Sequence, residues 1–69
     1  MSDHFAVEAD RRVVGVAVRA PGGFRFFASD PAFFSIEGLI FPRARALAQT
    51  VARIARRERR RARAVDAAP

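Results

Sequence analysis

The chain has 69 residues, a formal net charge of +6 and no cysteine. A chain of this length forms a single domain with a small core, and the absence of cysteine excludes disulfides and any zinc site built on thiolates. All 13 basic residues are arginine, and such an excess of positive charge is typical of proteins that bind nucleic acid, anionic membranes or acidic proteins.

Targeting and membrane-spanning segments are not predicted. The amino-terminal stretch MSDHFAVEADRR lacks the apolar core of a signal peptide. No apolar run approaches the roughly 20 residues that a membrane-spanning helix requires. The sequence therefore predicts a cytoplasmic protein without a membrane anchor.

The first predicted element is a β-hairpin. Residues 5–9 place apolar side chains at every second position, as a strand with one buried face does. Residues 10 and 11 are predicted to form a tight turn into a second strand over residues 13–20, although they include no glycine. This loop predicts two apolar cross-strand pairs: Phe5 with Val16, and Val7 with Val14.

A second hairpin is predicted around residues 21–23, Pro-Gly-Gly, because proline presets φ and glycine accepts a positive φ. A three-residue loop pairs Val18 with Phe26 and builds an apolar wall, whereas a two-residue loop mixes valine with arginine. We prefer the three-residue loop. It places Arg19 opposite Arg25 on the outer face, where the pair either holds a phosphate or a base, or simply remains in solvent.

The middle of the chain is its most apolar part. Asp30 and Pro31 predict a short helix with Asp30 as its N-cap, and Gly38 limits the length of that helix. Six large side chains are predicted to close the end of the core: Phe33, Phe34, Ile36, Leu39, Ile40 and Phe41. Alternatively, residues 36–41 form another short strand, or some of these side chains contact a dimer partner or another protein.

Residues 42–63 predict one long amphipathic helix with Pro42 at its first position. Apolar residues recur at spacings of three and four and form one stripe: Ala44, Leu47, Ala48, Val51, Ile54 and Ala55. Arginines occupy the opposite arc: Arg45, Arg53, Arg56, Arg57, Arg59, Arg60 and Arg63. Residues 65–69 are predicted to form a disordered tail.

The sequence lacks the residue patterns of a catalytic or cofactor site. His4 is the single histidine, and no nucleophile or carboxylate motif surrounds it. Gly22 and Gly23 do not have the spacing of a nucleotide-binding loop. We therefore predict no enzymatic activity, no catalytic residue, no cofactor and no metal site.

Together these elements predict an α+β domain over residues 1–64, in which an antiparallel meander of two to three strands packs against the long carboxy-terminal helix. The leading partner is DNA or RNA, whose phosphates would contact ten arginines: Arg19, Arg25, Arg45, Arg53, Arg56, Arg57, Arg59, Arg60, Arg61 and Arg63. The alternatives are docking on an acidic protein, self-association as a homodimer, or a solvated helix end that only keeps the protein soluble. A membrane surface is the least favoured partner, because the apolar stripe is mostly alanine.

Overall fold

A computed structural model of the protein describes residues 3–67. In chain order it contains strands β1 (His4–Ala9), β2 (Arg12–Ala20) and β3 (Gly23–Ala28), a 3₁₀ helix (Pro31–Ile36), strand β4 (Ile40–Phe41) and helix α1 (Ala44–Ala67). The strands form one antiparallel sheet in the order β1-β2-β3-β4. Helix α1 packs on one face of this sheet, which we call the inner face, and the opposite face is the outer face. The predicted α+β class is confirmed, with one strand more than predicted.

The turn between β1 and β2 is the predicted two-residue loop. Asp10 and Arg11 both have a positive φ, 53° and 67°, which is the combination found in a type I′ turn. This turn suits the right-handed twist of the two strands, but L-residues with a side chain disfavour its left-handed conformation. The Asp10 carboxylate also pairs with Arg59 of α1, which ties the turn to the helix.

A β-bulge between β1 and β2 changes the register that the sequence predicted. Beyond the bulge, Phe5 pairs with Ala17 and not with Val16, and Val7 pairs with Gly15 and not with Val14. Both predicted pairs are therefore wrong. The bulge inserts Val14 as an extra residue of β2, and its side chain is fully buried in the core.

The second hairpin has a two-residue loop, residues 21 and 22, so the predicted three-residue loop is wrong. Ala17, and not Val18, is the partner of Phe26. Gly15 lies on the same face, where a Cβ atom would be only 2.5 Å from the Phe26 ring. The small residues of β2 therefore provide the space that the fully buried Phe26 ring occupies, and a wall of valines would not leave that space.

The observed register also separates Arg19 from Arg25. Arg19 pairs with Phe24 on the inner face. Arg25 pairs with Val18 and Ile40 on the outer face. The predicted arrangement of the two arginines opposite each other is wrong, because the shift of one residue moves one of them to the other side of the sheet.

The 3₁₀ helix begins as predicted. Asp30 is its N-cap and accepts a hydrogen bond of 2.9 Å from the Ala32 amide. Phe33 and Ile36 are buried in the core. The other four residues predicted to close the core are less buried than expected. Phe41 is partly buried, whereas Phe34, Leu39 and Ile40 are exposed. The alternative strand considered for residues 36–41 is present as the short strand β4.

Helix α1 starts two residues after the predicted Pro42, at Ala44, because the preceding chain still belongs to β4 and must first turn. Its residues Leu47, Val51 and Ala55 are buried against the sheet and the 3₁₀ helix. They complete the core, which among the residues of described burial contains Val7, Val14, Ala17, Phe26, Phe33, Ile36, Leu47, Val51 and Ala55.

The carboxy-terminal part of α1 extends past this core. The last core residue on the helix is Ala55, whereas the helix continues to Ala67. The molecule accordingly measures 50 Å in its longest dimension and 18 and 17 Å in the other two. The helix thus enters the segment 65–69 that the sequence predicted as a tail, and residues 68 and 69 lie outside the described part of the chain.

Candidate nucleic-acid interface

The solvent side of α1 carries a continuous group of arginines. Arg53, Arg56, Arg57 and Arg60 together line an open cleft of about 230 Å³, and we call them the arginine stripe. Positions i, i+3, i+4 and i+7 fall within an arc of about 100° on a helix. Their arc is opposite the buried residues of α1, so packing against the sheet orients all of these guanidinium groups toward solvent.

The arginine stripe has no acidic partner among the described residues. The ion pairs seen in this part of the chain join Arg12 with Asp30 at 2.8 Å, Arg59 with Asp10, and Arg61 with Glu58 at 3.5 Å. None of them includes a residue of the stripe. Like charges at spacings of three and four destabilise a helix by a few tenths of a kcal/mol per pair. A bound anion would remove that repulsion.

Two further arginines predicted as site residues extend this surface along α1. Arg45 and Arg63 are both exposed. They are 18 residues apart, which is five full helical turns, so they point in the same direction about 27 Å from each other. Both lie on the flank of the stripe that includes Arg56. The basic surface therefore runs along most of the helix.

The other predicted site residues do not join this surface. The guanidinium of Arg59 is engaged with Asp10, and that of Arg61 with Glu58. Arg19 lies over the ring of Phe24, with its Cζ atom 5.3 Å from the ring centroid. Arg25 is on the outer face of the sheet. The structure thus brings together six of the helical arginines and leaves Arg59, Arg61 and the two strand arginines apart from them.

An apolar outer face of the sheet is the feature that the sequence reasoning missed. Val13, Phe27 and Ile40 are 51%, 43% and 41% exposed. Val16 and Val18 lie among them and are only partly buried. No element of residues 3–67 covers this face. The sequence signal that was available is the alternation of small residues in β2, which marks the face of that strand that a large ring covers.

Within residues 3–67, no group of three or more histidine, cysteine, aspartate or glutamate side chains is arranged to hold a metal ion. No helix in this range is both long enough and apolar enough to cross a membrane. The chain matches no protein-family model, and no curated protein or solved structure is significantly similar to it. Function is therefore inferred from the chain's own residues.

Proposed function

We propose that this is a non-enzymatic, cytoplasmic binding protein that contacts the phosphates of DNA or RNA through the arginine stripe. The observation that supports the proposal is a set of four guanidinium groups on one face of a helix, none of them paired with a carboxylate of the described residues. A guanidinium group binds a phosphate through two parallel hydrogen bonds and keeps its charge at any physiological pH.

The shape of α1 supports a backbone contact. The helix projects beyond the sheet, and an α-helix fits within the major groove of duplex DNA. Its solvent side offers mainly arginine, with few of the amide side chains that read adenine edges. Binding that depends on phosphates alone positions a protein without selecting a base sequence. We therefore propose affinity for nucleic acid in general.

The test is a salt titration of binding, measured by fluorescence anisotropy on a labelled random duplex and a labelled single strand. Each phosphate neutralised on duplex DNA contributes about −0.9 to the slope of log K against log salt, so the stripe alone predicts a slope of about −3.6. On a single strand, where each phosphate contributes about −0.7, the prediction is about −2.8. Affinity independent of salt, or no binding at low salt, would refute the proposal.

A second candidate function is docking on an acidic protein through the outer face of the sheet. The observation that favours it is the exposed apolar surface of Val13, Phe27 and Ile40, which has Arg25 beside it. Apolar surface of this kind, bordered by charge, marks protein interaction sites. A Phe27→Asp variant should lose a partner that the wild type retains after nuclease treatment. A partner held equally by both proteins would reject this second function.

A further inference from the structure

The two edges of the sheet differ in how they are protected against pairing with another strand. β4 has only two residues and is followed at once by Pro42. β1 has six residues, HFAVEA, and contains no proline, lysine or arginine. Edge strands are normally protected by short length, proline or lysine. The β4 edge has such protection. β1 has none of these features, and the bulge beside it adds its extra residue to β2, not to the edge strand itself.

The backbone groups on the free edge of β1 follow from its pairing with β2. The Arg19 amide donates to the Asp3 carbonyl at 2.8 Å, so the next pair along the ladder, residue 4 with Val18, is a non-hydrogen-bonded pair. From there, the backbone N–H and C=O groups of successive residues of β1 point alternately toward β2 and away from it. The backbone groups of Phe5 and Val7 therefore point to β2, and those of Ala6 and Glu8 point away from the sheet.

A groove of about 420 Å³ runs beside this edge, between β1 and α1. Phe5 lies on its strand side and is 40% exposed. Ala48 and Ala52 lie on its helix side and are exposed too. Side chains this small leave room for those of another strand. The groove thus continues the inner face of the sheet past its last strand.

We propose that a second copy of the chain occupies this edge, with the two β1 strands antiparallel about a twofold axis at Ala6. Strand pairing then joins the two four-stranded sheets into one. The outward-facing residues pair so that Ala6 meets its own copy and His4 lies opposite Glu8 of the partner subunit. On the inner face, Phe5 meets Val7 of the partner subunit above the groove.

Complementary hydrogen-bonding side chains select a second copy in this orientation. The strand has an imidazole near one end, on His4, and a carboxylate near the other, on Glu8. Antiparallel pairing about Ala6 matches these two groups twice, once at each end of the interface. An imidazole N–H can donate a hydrogen bond to a carboxylate directly across a strand pair, whereas two carboxylates placed there destabilise it. A parallel arrangement would instead bring the two Glu8 carboxylates together.

The surface area of the chain is consistent with such an interface. The accessible surface is 5250 Å², whereas a folded monomer of 7.6 kDa has about 4300 Å². The difference of about 950 Å² includes the projecting end of α1. One partner buries roughly 800 Å² in a standard protein interface, so the chain exposes enough surface to form one.

Sedimentation equilibrium, from micromolar to millimolar protein, tests the dimer. The wild type should reach twice the 7.6 kDa mass of one chain. Ala6→Pro should be monomeric with an unchanged far-UV circular dichroism spectrum, because an edge strand tolerates proline where its N–H faces outward. The matched control, Ile40→Glu on the outer face of the opposite edge strand β4, should remain a dimer. All these variants retain the arginine stripe, so their oligomeric state is tested separately from nucleic-acid binding.

A charge swap decides the question even if Ala6→Pro does not fold. His4→Glu places carboxylates opposite each other at both ends and should weaken the dimer about tenfold. The double variant His4→Glu with Glu8→His should restore it. The proposal is overturned if the wild type is monomeric throughout, if Ala6→Pro or His4→Glu dimerises like the wild type, or if only Ile40→Glu dissociates.

Discussion

Replacing Gly15 with alanine tests the packing that sets the register of the sheet. The added Cβ atom would be 2.5 Å from Cζ of the Phe26 ring and 2.5 Å from the Phe27 carbonyl oxygen. Carbon atoms in contact prefer separations of about 3.5–4.0 Å. The strand and the ring must therefore move apart by about 1 Å. Neither neighbour moves easily, because the ring is fully buried and the carbonyl belongs to the backbone of β3.

We expect Gly15→Ala to lower the free energy of unfolding by about 1–2 kcal/mol. Overpacking a core costs roughly 1–3 kcal/mol. Alanine returns about 0.4–1 kcal/mol by restricting the unfolded chain. In a domain of this size the net loss lowers Tm by roughly 5–15 °C. Because the chain has no tryptophan or tyrosine, far-UV circular dichroism is the appropriate signal.

A double-mutant cycle with Phe26→Leu separates the clash from a general effect on the strand. Phe26→Leu alone leaves space above Gly15 and should be destabilising. In the double variant the smaller side chain accommodates the new methyl group, so the combined loss should be at least 0.5 kcal/mol smaller than the sum of the two single losses. A Gly15→Ala protein as stable as the wild type, or additive effects, would show that Phe26 does not pack on Gly15.

Two further substitutions test the turn and the cap, both by urea denaturation. Arg11→Gly should stabilise the protein by roughly 0.5–1 kcal/mol, because glycine accepts the φ of 67° without the strain of a side chain. Arg11→Ala keeps that strain and should not stabilise the protein. Equal effects of the two substitutions would contradict the turn geometry. Asp30→Ala should cost about 1 kcal/mol by removing the acceptor for the Ala32 amide. Asp30→Asn keeps that acceptor and loses only the ion pair with the exposed Arg12, so a loss as large as that of alanine would show that the cap is not the cause.

The local signals in the sequence predicted most of the elements. The turn at Asp10 and Arg11, the cap at Asp30 and the periodic helix can be predicted, because each depends on neighbouring residues alone. The register of the sheet depends on contacts between strands. The valines of β2 suggested a core wall, yet the Phe26 ring needs the space over Gly15, and a β-bulge supplies the correct alignment.

The difference between local signals and contacts between strands also explains which parts of the candidate site could be predicted. The arginines of α1 share a face because of helical periodicity, so their grouping could be read from spacing. The pairing of Arg19 with Arg25 depended on the sheet register and was wrong. Which helical arginines lack an acidic partner could not be predicted, because Asp10 reaches Arg59 from a turn 49 residues away.

The most direct test of the binding proposal compares two variants that lose the same number of charges. The first replaces the arginine stripe with glutamine: Arg53, Arg56, Arg57 and Arg60. The second replaces four arginines outside α1 with glutamine: Arg11, Arg19, Arg25 and Arg43. In salt titrations on the labelled duplex, the first variant should lose about 3.6 from the magnitude of the slope, and the second should keep a slope close to that of the wild type. Equal losses in the two variants would mean that net charge alone causes binding, and would contradict a site on α1.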